Sequence, residues 1–137
     1  MKIDYFAVMP TGKNGELEPL CLTDGRGFEG LDEEWLRAIH YGAGLIRIID
    51  GGVELRLPVE FGFGYVLQYL RQFADAERHL VARTRKLLRA QLDWISRGLP
   101  LRLSRQDDWV EIEGDEQHAY PLDRFLEALG KANASVV

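Results

Sequence analysis

Two arginines, Arg47 and Arg56, lie at equal distance on either side of Gly51-Gly52. A two-residue glycine loop permits the primed turn that closes an antiparallel hairpin. Pairing across it sets Ile46 and Ile48 beside Leu57 and Leu55 on one face, and Arg47 opposite Arg56 on the other. Like charges directly opposed repel, so the pair requires either an acid of the chain, with Asp4 and Glu54 the candidates, or a bound anion. The second chemical concentration is Asp107-Asp-Trp-Val-Glu-Ile-Glu-Gly-Asp-Glu116, six acids and no base in ten residues. The alternation that turns Val110 and Ile112 inward turns Trp109 outward, among Asp107, Asp108, Glu113, Asp115 and Glu116. An exposed tryptophan ringed by carboxylates is the composition of a hot spot for a basic partner. The competing reading packs Trp109 beneath the last helix or the chain terminus.

A third candidate is Gly25-Arg26-Gly27-Phe28-Glu29-Gly30, which follows a strand pattern and precedes a helix pattern, with Asp50 twenty residues beyond. Over Leu20 to Asp50 this spacing resembles the dinucleotide-binding fingerprint of the Rossmann family, and the resemblance implies a nucleotide at the loop with Arg26 beside its phosphates. The chain departs from that pattern in two ways. Asp32, Glu33 and Glu34 place three carboxylates at the helix N-terminus that would receive a pyrophosphate. Asp50 leads into a tight antiparallel hairpin, where the family continues through a crossover to a parallel strand. Both departures favour a plain glycine-rich turn.

Catalytic groups are sparse. Cys21, Ser96, Ser104 and Ser135 are set in no nucleophile-elbow pattern. His40, His79 and His118 have no second His or Cys at metal-ligand spacing, so neither a metal nor a cofactor is expected. His79, one helical turn from Asp75 and from Arg83, reads as a solvated residue. His40 reads as a partner for the C-terminal end of a helix dipole. His118, in the approach to the last helix, is the one histidine worth testing for catalysis. No catalytic residue is assigned.

The elements that must position these groups follow from periodicity. Lys2 to Met9 alternates as a strand, residues 10–15 are turn chemistry, and Leu17 to Thr23 is a second strand weakened by Pro19. Asp32 caps a helix that Gly42 ends. Gly64 to Arg97 contains no Pro and no internal Gly, and predicts one long helix with Val66, Tyr69, Leu70, Phe73, Leu80, Val81, Leu87, Leu88, Leu92, Trp94 and Ile95 on one arc. Such a helix would be roughly 48 Å long, against a domain about 37 Å across, so it must kink or project. Glu77, Thr84 and Gln91 form a polar file down that arc. It is satisfied either by tyrosine hydroxyls and backbone within one chain or by a second copy, which would make a homodimer through this helix.

After Gly98, a second hairpin closes through Arg105-Gln-Asp-Asp108, with Leu101 beside Ile112, Leu103 beside Val110 and Arg102 beside Glu111. Pro121 opens a last helix from Leu122 to about Ala132, and residues 133–137 are expected to fray. The whole is expected to be a single α+β domain over residues 1–137, with an antiparallel sheet of five or six strands packed on one long and two shorter helices.

Composition bounds the function. The 137 residues are 46% hydrophobic with a net charge of −5. Arg78 to Arg105 holds eight bases against one acid, while the rest holds nine bases and twenty-one acids. A basic helix in an acidic surround argues against a general nucleic-acid binder. Met1 to Met9 lacks the pattern of a signal peptide, no run approaches bilayer length, and Cys21 stands alone, so a cytoplasmic protein is expected. The functional expectation is a non-catalytic interaction module that engages a basic protein through Trp109 and its carboxylates, in the format of toxin-neutralising immunity proteins and antitoxins. The alternatives are an anion or nucleotide module using Arg26, Arg47 and Arg56, and an oligomerising subunit.

Overall fold

A computed structural model describes residues 1–10, 17–24, 28–114 and 116–136. Among them the elements run β1 (Lys2–Pro10), β2 (Leu17–Cys21), α1 (Glu33–Tyr41), β3 (Ala43–Asp50), β4 (Val53–Val59), α2 (Phe63–Glu77), α3 (Ala82–Ser96), β5 (Arg102–Gln106), β6 (Trp109–Glu113), β7 (Gln117–Pro121) and α4 (Leu122–Ser135). The class is α+β, as expected. The strands, however, divide into two antiparallel sheets, β2-β1-β3-β4 and β5-β6-β7, instead of the expected single sheet of five or six. The chain clusters into two compact units, Met1–Tyr65 with Lys131–Val137, and Val66–Gly130. No helix among the described residues is long and apolar enough to cross a membrane.

In the first unit, β1 and β3 are the central strands. Ile3, Tyr5, Ala7, Ile46 and Ile48 are buried, each spaced two residues from the next on its strand, as one sheet face requires. The β3–β4 hairpin adopts the expected register, Ile46 with Leu57, Ile48 with Leu55 and Arg47 with Arg56. Gly51 and Gly52 turn it with φ of 59° and 81°, the left-handed pair that a primed turn demands. Pro19 lies in β2, an edge strand where a missing N–H does least harm. Residues 11–15, expected as a turn, lie outside the described residues. Asp32 caps α1 by accepting from the Trp35 N–H at 2.9 Å. Gly44 leaves room for the Phe63 ring, into which any Cβ at position 44 would run. α4 continues to Ser135, beyond the expected end at Ala132, so the supposedly frayed tail is helical there. Its Asn133 is buried and accepts from the Tyr5 hydroxyl at 2.8 Å.

In the second unit, the expected long helix is broken. α2 ends at Glu77 and α3 starts at Ala82, which resolves the excess length by a break instead of a projecting end. The physical cause is the Glu77 carboxylate, only 1% exposed. A buried carboxylate requires counter-charge, and it takes Arg89 through Nε and Nη2, each 2.7 Å from an oxygen, and Arg105 Nη1 at 3.0 Å. The His79 imidazole Nδ1 accepts from the Val81 N–H at 3.2 Å at the entry to α3. His79 therefore lies in the break, not on a helix surface. Arg85 donates to the His79 carbonyl. α3 thus buries Leu92 and Ser96 and half-buries Arg85, Leu88 and Arg89, while Leu80, Val81, Leu87, Trp94 and Ile95, expected on the core arc, are exposed. Val66, Tyr69, Leu70 and Phe73 of α2 are buried as expected.

The β5–β6 hairpin is shifted from the expected register. Leu103 pairs with Ile112 and Arg102 with Glu113, because the turn is the two-residue Asp107-Asp108 and not a four-residue loop. The same residues remain buried, Leu101, Leu103, Val110 and Ile112, since a slip of two in pairing preserves the face. The outward backbone groups of Leu103 are satisfied by the Tyr69 hydroxyl, which accepts from its N–H and donates to its carbonyl. β7 completes the sheet where a loop was expected. Arg78 donates to the Leu126 carbonyl at 2.6 Å across Gly130, where a Cβ would lie within 2.6 Å of the guanidinium.

Candidate interaction surface

The β6 strand is fixed at its tip by two hydrogen bonds. Asp107 adopts a φ of 52°, a left-handed conformation that Asp tolerates better than most residues. Arg105 Nε donates to its carbonyl at 2.8 Å, and the Asp108 carbonyl accepts from the Leu122 N–H at 2.8 Å. Trp109 follows directly, opposite Gln106 on one side and Pro121 on the other, and is 51% exposed. Strand alternation places Glu111 and Glu113 on the same outer face at two-residue intervals. Asp107, Asp108, Glu113 and Glu116 are exposed, and Asp115 lies outside the described residues. Arg102 is directed to Asp93 of α3 and not to Glu111. Glu111 instead accepts from Gln117 at 3.1 Å, a neutral donor that leaves its charge in place. The result is a large aromatic held on a hydrogen-bonded sheet beside exposed carboxylates, of which Glu116 has the His118 imidazole 3.4 Å away.

Neither a protein-family model, a curated protein nor a solved structure matches the chain.

Arg47 and Arg56 are brought together as expected, and each finds an acid of the chain. Buried Asp4 accepts from Arg47 Nη2 at 2.9 Å and from the Thr23 hydroxyl at 2.7 Å, with the Lys2 ammonium 3.8 Å away. Burial alone would raise the Asp4 pKa, but the hydrogen bonds from Arg47 and Thr23, with the charges of Lys2 and Arg47, hold it below the usual aspartate range. The Arg47 guanidinium is itself held charged, chiefly by its hydrogen bond to Asp4, and lies 4.8 Å from the centre of the Phe6 ring. Glu54 sits 3.8 Å from Arg47 and 3.5 Å from Arg56. The chain's own acids, Asp4 and Glu54, thus answer the charge of the opposed arginines, although Arg47 Nε, 3.8 Å from Glu54, is buried without a hydrogen-bond partner. Residues 25–27, with Arg26, lie outside the described residues.

His118 is on β7 opposite Ile112, with Nε2 3.4 Å from a Glu116 oxygen. It is a strand residue and not the loop residue expected, and among the described residues no hydroxyl or thiol is hydrogen-bonded to it. His40 lies in the last turn of α1, as expected, with its ring against Tyr41 and Tyr65. Among the described residues no group of three His, Cys, Asp or Glu side chains forms a metal site. Glu77 is satisfied within one chain, though by guanidiniums and not by the tyrosine hydroxyls the polar file suggested.

Sequence reading missed one surface. The outer face of α3 carries Leu87 and Trp94, 64% and 71% exposed, where the apolar arc predicts core. The available signal was Arg85, Arg89 and Ser96, spaced as an inner face with Leu88 and Leu92. Five aliphatic and aromatic residues on the other side masked it.

Proposed function

We propose that the protein is a non-catalytic interaction module that acts in the cytoplasm and captures a basic protein on the outer face of β5, β6 and β7. The reading rests on Trp109, a half-exposed aromatic on a pinned strand with Glu111 and Glu113 in file beside it and Asp107 and Asp108 at its end. Exposed tryptophans of this kind supply the desolvated anchor of a protein interface, while surrounding carboxylates steer a cationic partner towards it. Capture would act by occlusion: the partner's basic surface, once covered, is withdrawn from its own target. Neutralisation of a basic toxin is the form of this activity that the acidic format of the chain suits best.

The test is affinity capture from native cells, wild type against Trp109→Ala, read by mass spectrometry. A protein with a basic surface retained by the wild type and lost by the variant supports the reading. A nucleotide-dependent thermal stabilisation that Arg47→Ala abolishes would overturn it in favour of a phosphate-binding module.

A further inference from the structure

The outer face of α3 has a chemistry opposite to that of the Trp109 sheet. Within Ala82–Ser96, positions 84, 87, 91 and 94 recur at alternating three- and four-residue intervals, the seam of a helix prepared to pack against another helix. Leu87 and Trp94 are its exposed apolar knobs, alternating along the seam with Thr84 and Gln91, and Ile95, 42% exposed, lies beside them. Leu80, 96% exposed, and Val81 extend the apolar surface beyond the first turn. Arg83, Ala90 and Arg97 follow the opposite border at seven-residue spacing, with Lys86 adjoining, and the three bases are exposed. Among the described residues no carboxylate pairs with Arg83, Lys86 or Arg97, whereas Arg89 and Arg102 are engaged. Asp93, the one acid of this helix, belongs to Arg102.

We propose that this face docks an amphipathic helix of a partner protein whose apolar seam is bordered by glutamate or aspartate. Helix against helix buries Leu87 and Trp94 in the partner's holes, and acids flanking the partner's seam meet Arg83 and Arg97, as the flanking positions of a coiled coil do. A second copy of this chain fits worse. Antiparallel packing of α3 on itself sets Arg83 of one copy against Arg97 of the other, and parallel packing sets Arg83 against Leu88 and offers neither arginine an acid. The helix therefore selects against itself by charge and in favour of an acidic partner.

The probe is a synthetic amphipathic helix about three heptads long, with Leu at its core positions and Glu at the flanking ones, and its control replaces each Glu by Lys. Binding of the labelled peptides to the full chain is read by fluorescence anisotropy at low salt. The glutamate peptide should bind and the lysine peptide should bind at least roughly tenfold more weakly. Leu87→Ala with Trp94→Ala should abolish binding at an unchanged unfolding midpoint, since both side chains are exposed. Arg83→Glu with Arg97→Glu should reverse the preference, and Trp109→Ala should leave it unaltered, which separates this face from the sheet. Equal binding of both peptides, or no binding of either, overturns the proposal. So does a dimer in light scattering that the Leu87 and Trp94 substitutions dissociate, because a second copy would then be the occupant.

Discussion

Glu77 and Arg89 meet across the break between α2 and α3, two guanidinium nitrogens each 2.7 Å from a carboxylate oxygen. Arg105 reaches the same carboxylate from β5 at 3.0 Å. One buried acid thus ties two helices and a strand, and it sets the rotation of α3 that leaves Leu87 and Trp94 outside.

Single replacement of Arg89 or Arg105 by Met should cost only about 1 kcal/mol, because the other guanidinium still answers Glu77. The double variant should cost about 3–5 kcal/mol, the range for a buried charge stripped of its partner. Urea unfolding of the three variants measures the coupling. Additive single losses would show that the two arginines act independently.

Asp4 gives the first unit a predictable acid response. Its pKa is depressed below the ordinary 3.8, so its contribution is complete above that value and is lost as pH falls through the depressed one. Asp4→Asn should therefore be less stable than wild type at neutral pH, with the gap closing below about pH 4. Thermal unfolding at neutral and acid pH checks this. A gap that stays constant with pH would mean that Asp4 contributes by packing alone.

At Gly44 the limit is steric. A methyl group there enters the Phe63 ring, and overpacking of this sort costs about 1–3 kcal/mol. The Gly44→Ala chain should melt several degrees lower, while Gly51→Ala is penalised only by its left-handed φ of 59°. Equal effects would remove the assigned contact between Gly44 and Phe63.

Charge on the sheet should govern the speed of capture more than its duration. Replacing Asp107, Asp108, Glu113 and Glu116 by Asn or Gln should lower the association rate constant about tenfold at low salt and flatten its salt dependence. Stopped-flow association against ionic strength reads this. A change confined to dissociation would place these acids in the contact itself.

Much of this organisation is legible in the sequence where a local device specifies it. Gly51-Gly52 fixes the first hairpin and the opposition of Arg47 to Arg56, and Asp32 fixes the start of α1. Exposure of Trp109 follows from the alternation with Val110 and Ile112, a pattern that survives the two-residue slip in register. What is not legible depends on distant partners. β7 reads Gln-His-Ala-Tyr-Pro without alternation, and it becomes a strand because β6 offers it a backbone edge. The break after Glu77 has no Gly or Pro to announce it. It arises because Arg89 and Arg105, twelve and twenty-eight residues away, converge on one carboxylate, a tertiary demand that a continuous apolar arc conceals.

The most direct measurement is the dissociation rate of the captured basic partner from wild type and from Trp109→Ala, by surface plasmon resonance. With Trp109 as the anchor, the variant should release its partner about thirtyfold faster, the equivalent of about 2 kcal/mol for a hot-spot aromatic, at an unfolding midpoint equal to wild type. An unchanged residence time, or a variant that loses binding only because it unfolds, would contradict the assignment of this sheet as the binding face.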